Sequence, residues 1–229
     1  MTRRPALLLA AAVLVAASAG TGTPLPAESP RAVQAPVWVY LETVPGSPDK
    51  EELRARMPPI QELDETARYI LSGMIYGWTF TYTPSDKLRK VEEFFSLDPV
   101  DSLQQEDPRM ELTEVSADYP RLTCWASIAL DEALSRRRVY WDSVLFRTGS
   151  GRGYGERGDE TAGIRQAYTQ AIMQAIREQA RKLEKNKPKE IRGEVLLKQA
   201  PRLFSESGRF GAEVRVLINM QEIIPYTTF

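Results

Sequence analysis

From Met74 to Tyr82 every even-numbered residue carries a large side chain (Met74, Tyr76, Trp78, Phe80, Tyr82), and from Gly77 onward every odd one is small or hydroxylated. A period of two with β-forming residues throughout reads as a strand with one buried face. The same alternation returns at Leu122–Leu130 and at Phe210–Ile218, where Phe210, Ala212, Val214, Val216 and Ile218 oppose Gly211, Glu213 and Arg215. Strands with one apolar and one wet face belong to antiparallel sheets, and the apolar face needs a cover. Helical stripes supply it: Ile60, Leu63, Ala67, Ile70 and Leu71 before Ser72-Gly73, and Ile164, Tyr168, Ala171, Ile172, Ala175, Ile176 and Leu183 in a long helix from about residue 161 to 185, capped by Asp159 or Thr161 and stopped by Pro188. The fold class is therefore α+β: an antiparallel sheet with helices packed on one face, the long helix being followed by a C-terminal strand pair at about 190–199 and 209–220.

Other elements follow from local signals. Pro36–Glu42 reads as a short strand that pairs either with this body or with a partner's sheet edge, then come a turn at Pro45–Pro48 and a charged helix over 49–56. Thr83-Pro84-Ser85-Asp86 predicts a turn and cap for a helix over 87–97 with Leu88, Val91, Phe94 and Phe95 inward. Strands at 109–117 and 122–130 join through Asp118-Tyr119-Pro120, and 131–146 fits a strand better than a helix. Residues 149–158 hold five glycines in ten positions and read as a loop.

The first residues give an address. Arg3 and Arg4 precede an apolar run from Ala6 to Ala17, and Ala17-Ser18-Ala19 has the small-x-small pattern of a signal-peptide cleavage site. Twelve apolar residues are fewer than the roughly 20 of a spanning helix, so the mature chain is expected to be exported, periplasmic or extracellular, without a transmembrane span. The organisation is thus 1–19 signal peptide, 20–59 proline-rich tether with a short strand, and 60–229 α+β body, divisible into 60–130 and 131–229.

Composition removes whole chemistries. There is no histidine, and Cys124 is the only cysteine. A Ser-His-Asp unit, a Cys-His unit, a His/Cys zinc site and an internal disulfide are all excluded. In a strand, Cys124 falls on the apolar face with Leu122, Ala126 and Ile128, which makes it a packing residue. Without Arg3 and Arg4 there are 28 basic and 31 acidic residues, net −3, with 18 acidic against 10 basic in 20–130 and 13 against 18 in 131–229. No concentrated basic footprint for nucleic acid exists.

The sharpest binding candidate is the glycine segment. Gly151, Arg152, Gly153, Gly155 and Arg157 precede the long helix, where free N–H groups and two guanidiniums can hold an anion. The segment lacks the Gly-Lys-Ser/Thr ending of a phosphate loop and the acid of a dinucleotide fold, so a partner-binding loop is the plainer reading. The aromatic face Tyr76–Tyr82 suits a helix-covered core better than a ligand. Arg136-Arg137-Arg138 falls short of a lipid-binding cluster. Carboxylates are plentiful, yet no spacing marks a glycosidase pair. No cofactor, catalytic residue or metal ligand is expected.

Ala67–Gly77 and Tyr82–Asp86 resemble uncharacterised secreted proteins of spirochaetes, which implies no activity. The glycine loop, alanine-rich helix and terminal strands are similar to small envelope proteins that build flagellar outer-membrane rings, although these carry a lipidated cysteine. The expected function is a non-enzymatic periplasmic or cell-envelope protein with structural or protein-interaction roles, its partners being envelope proteins or further copies of itself. The alternatives are a binding module for a small anionic or aromatic ligand, and thirdly a carboxylate-based hydrolase.

Overall fold

The computed structural model describes residues 32–42, 57–143, 145–157, 160–183 and 187–226. The signal peptide, the tether up to residue 31, the turn and helix expected over 45–56, and Asp159 lie outside the described residues.

Among the described residues twelve elements make two antiparallel sheets and three helices. In order they are β1 (Ala32–Tyr40), α1 (Pro59–Ile75), β2 (Trp78–Thr83), β3 (Phe94–Pro99), β4 (Met110–Asp118), β5 (Arg121–Ala129), α2 (Glu132–Trp141), β6 (Arg147–Gly155), α3 (Glu160–Leu183), β7 (Glu190–Leu197), β8 (Arg202–Glu206) and β9 (Arg209–Ile224). The small sheet runs β1-β5-β4 and the large one β3-β2-β7-β9-β6, with β8 also on β9. β2 and β3 come from residues before 130 and β6 to β9 from residues after it, yet they share one sheet and one core.

α1 lies against β1 and β5 of the small sheet and β7 of the large one. Its stripe Leu63, Ala67, Ile70, Leu71 and Met74 is almost fully buried, the leucine, isoleucine and methionine side chains contributing about 1.5–3 kcal/mol each. α3 covers β6 and β9 on the same face of the large sheet, through Ile164, Tyr168, Ile172 and Ile176. On the opposite face, short α2 seats Trp141 on Leu196 and Leu217. β1 pairs with β5 of its own chain, Val37 opposite Cys124, and Trp38 Nε1 donates to the Leu203 carbonyl at 3.2 Å.

Several local expectations are corrected. α1 continues through Ser72-Gly73 to Ile75, because a side chain at Gly73 would overlap the Trp78 ring; glycine here makes room for packing. Met74 and Ile75 are therefore helical, and the turn comes at Gly77, whose φ of 73° favours glycine. Residues 87–97 form no helix. Asp86 accepts from the Leu88 and Arg89 N–H groups and from the Arg89 guanidinium, Lys90 takes φ 57°, and the chain turns back to pair β3 with β2. Leu88, expected inward, is exposed. Residues 132–141 are helix where a strand was expected, since Asp131 caps the first turn by accepting from the Leu134 N–H at 2.8 Å. β1 begins at Ala32, within the segment expected to be tether, and β8 is an additional strand.

Candidate functional site

The glycine segment is a strand. β6 pairs antiparallel with β9 from Arg147 opposite Ile218 to Gly155 opposite Phe210. Its odd-numbered residues face α3, and there Gly149, Gly151, Gly153 and Gly155 meet Ala175, Ala171, Ala167 and Gly163, four residues apart along the helix. A Cβ at Gly151 would overlap the Ala171 carbonyl and one at Gly155 the Gly163 carbonyl. The glycines exist so that helix and strand backbones can touch. The expected loop is corrected on that ground.

The two arginines of the candidate anion site go to different sides of this sheet. Arg152 points away from α3, pairing with Glu206 at 2.8 Å and Glu213 at 3.8 Å and covering the Phe204 ring at 4.6 Å. Tyr154 Oη donates to the same Glu206 at 2.7 Å, which raises the phenol above its usual range and lowers the carboxyl below its own. Arg157 stacks on Tyr40 at 4.3 Å and on Phe210, tying β1 to the α3 face of β9. Gly151, Gly153 and Gly155 stand under α3 between them. The five candidate residues thus share one strand and its exit without converging on one point.

What β6 does offer is an edge. Lys198 donates its N–H to the Arg215 carbonyl, so Arg215 bonds toward β7 while Val214 and Val216 bond toward β6. Gly149 and Gly151 are their partners. The backbone groups of Thr148, Ser150, Arg152 and Tyr154 therefore point out of the sheet. Helix side chains satisfy the two ends: Gln179 donates to the Thr148 carbonyl at 3.0 Å, and Gln166 accepts from the Glu156 N–H at 2.9 Å. Between them the edge is bare among the described residues. Beside it a shallow groove of about 530 Å³ is lined by Ser150, Arg152, Arg202 and Arg215 together with one acid, Glu213.

A second feature is a cleft of about 930 Å³ between α1, the start of α3 and the 99–105 loop. Ile60, Tyr69, Trp78, Leu97, Leu103 and Leu112 give it an apolar lining. Two ion pairs mark its charged part, Asp64–Arg68 at 2.8 Å and Glu65–Arg165. Tyr69 lies 5.6 Å from the Trp78 ring, and burial pushes its hydroxyl up to about 12. The loop is pinned by the Leu103 N–H donating to Ser72 Oγ. Sequence reasoning did not single out this cleft: Glu65 and Arg165 are 100 residues apart, and only the i,i+4 spacing of Asp64 and Arg68 was readable.

The remaining charged candidates serve the fold. Arg137 donates to the Tyr76 carbonyl at 2.8 Å and Arg138 to that of Met74 at 2.9 Å, so two of the three arginines satisfy C-terminal carbonyls of α1, while Arg138 also reaches the Lys198 carbonyl and Arg136 pairs with Glu132 on its own helix. Among the described residues no three His, Cys, Asp or Glu side chains group as metal ligands, and no helix is long and apolar enough to cross a membrane.

Comparison with known proteins agrees with this reach of the chain. A protein-family model matches residues 21–226. A protein of Treponema pallidum (strain Nichols), described as an uncharacterized protein, is 37% identical over 197 residues, covering 86% of this chain and 83% of the relative. No solved structure matches. On a match that spans nearly the whole chain, this protein belongs to the family of uncharacterised proteins that includes the spirochaete relative.

Proposed function

We propose that this chain is an exported, non-enzymatic protein of the cell envelope that works by binding other proteins. The observation that carries the reading is β6, a nine-residue strand whose outward backbone groups between Thr148 and Glu156 find no partner among the described residues. Bare edges recruit further strands, and sheet proteins usually blunt them. The arrangement of charge agrees, because the arginines and carboxylates described above pair with each other, with helix ends or, for Arg157, with aromatic rings rather than facing a shared reaction centre. The apolar run from Ala6 to Ala17 and the small-x-small pattern at Ala17-Ser18-Ala19 support export. The test is a photo-crosslinking amino acid at Ser150 in the native cell, combined with fractionation. A discrete adduct with another protein in the envelope fraction is expected; cytoplasmic recovery, or no adduct at Ser150, overturns the role.

A second reading, binding of a small amphipathic ligand, is favoured by the cleft floored by Tyr69 and Trp78. It predicts a change of Trp78 fluorescence with ligand that Arg165→Ala weakens, with Ser150 adducts unaffected.

A further inference from the structure

Resting on that protein-binding role, we propose that β6 receives an acidic, extended segment of a partner protein as an added strand of the large sheet. The strand edges differ in how they are guarded. β1 carries Pro36 in its middle, which removes a donor. β4 is broken by a register shift between Thr113 and Ser116, with Glu114 at φ 52°. β3 is six residues long and ends on Pro99. β8 is five residues long, and Trp38 occupies its Leu203 carbonyl. β6 has nine residues, no proline and no register shift. It is the unguarded one among the described edges.

Charge selects the occupant. On the face of the sheet turned away from α3, β6 and its neighbours present Arg152, Lys198, Arg202, Arg209 and Arg215, against Glu206 and Glu213. Glu206 is paired with Arg152, and Glu213 with both Arg152 and Arg202, which leaves Lys198, Arg209 and Arg215 without an ion pair among the described residues. The basic side chains outnumber the acids beside the edge, and the groove at Ser150, Arg202 and Arg215 runs from it. An incoming strand that alternates acidic residues toward this face would meet them, while its backbone completes the ladder at Ser150, Arg152 and Tyr154.

A second copy's β6 is not the occupant. α3 stands directly over β6, its backbone in contact with the glycines. Edge-to-edge pairing would place two such strands about 4.8 Å apart, whereas helices pack no closer than about 8 Å. It would also bring two Arg152 side chains together.

The experiment uses the full mature chain and a fluorescein-labelled peptide of β6's own length that alternates Glu with Thr and Val. A glutamate–proline repeat of equal length and charge is the control, since it cannot form a ladder. Binding of the alternating peptide is expected by anisotropy, with slowed amide exchange at Ser150, Arg152 and Tyr154. Ser150→Pro removes an outward N–H without touching the β9 ladder and should weaken binding about tenfold. Arg152→Glu should turn preference toward a lysine-bearing peptide and covers the case in which the proline variant does not fold. Absence of binding, equal binding of the proline repeat, or no effect of either substitution overturns the proposal. An envelope adduct at Ser150 without peptide binding would sink strand addition alone. Loss of both would sink the protein-binding role as well.

Discussion

The Cys124 thiol faces the core opposite Val37, and burial, with a smaller contribution from Asp64, pushes it up to about 11. At neutral pH it is a packing group without thiolate character. Ellman's reagent should therefore label the native chain far more slowly than a thiol in guanidinium, where one equivalent appears at once; rapid native labelling would contradict the packing. This position was legible in the sequence, because the alternation around Cys124 leaves it one choice of face. The tyrosines give the pH dependence. Burial first, then the hydrogen bond to Glu93, pushes Tyr82 up to about 12, and burial does the same for Tyr69. The folded state then holds these protons between pH 10 and 12 while the unfolded chain gives them up, so stability is full below about 10 and falls as pH rises toward 12. Chemical denaturation at pH 8 and pH 11 should show the loss, with a further rise in phenolate absorbance at pH 11 on unfolding as the buried tyrosines ionise. Arg157 and Arg165 were less legible: their partners, Tyr40 and Glu65, are remote in sequence.

At the scale of elements, the contact of β6 with α3 decides most. Gly153→Ala would put a methyl into the α3 backbone at Ala171 and Ala167, where nothing flexible can move aside. We expect a loss of about 3 kcal/mol or more, at or beyond the usual range for overpacking, against no more than about 0.5 kcal/mol for Ser150→Ala on the exposed side. Urea melts of both variants measure it, and equal stability would mean that helix and strand do not touch. The strand could have been found in the sequence: glycine at 149, 151, 153 and 155 has a period of two, and Gly163, Ala167, Ala171 and Ala175 have a period of four. Composition pointed to a loop instead, because glycine usually marks one. Residues 87–97 misled for the opposite reason. Leu88, Val91, Phe94 and Phe95 have helical spacing, but Asp86 spends its carboxylate on a tight turn, and β2, paired with β7 on one side, takes β3 on the other. At 131–146 the alternating aromatics suggested a strand, and the Asp131 cap decided for a helix.

For the whole molecule, the α+β class and the order of long helix before terminal strands could be read directly, since β2, β5, β9, α1 and α3 each carry a clean period. The division into two sheets could not, because it depends on pairings such as β1 with β5 and β2 with β7, which bring together residues far apart in the chain. The same topology leaves β6 at the margin of the large sheet, with basic side chains along one face and, among the described residues, no strand beside its outward backbone groups. Everything proposed for this protein's role depends on that edge being a formed strand and open. Residue-resolved amide exchange of the free chain over 147–155 tests it most directly. The account predicts slow exchange at Gly149, Gly151, Gly153 and Gly155, whose N–H groups face β9, alternating with fast exchange at Ser150, Arg152 and Tyr154. Uniformly fast exchange would return the segment to a glycine loop, and uniformly slow exchange would mean that the edge is already occupied.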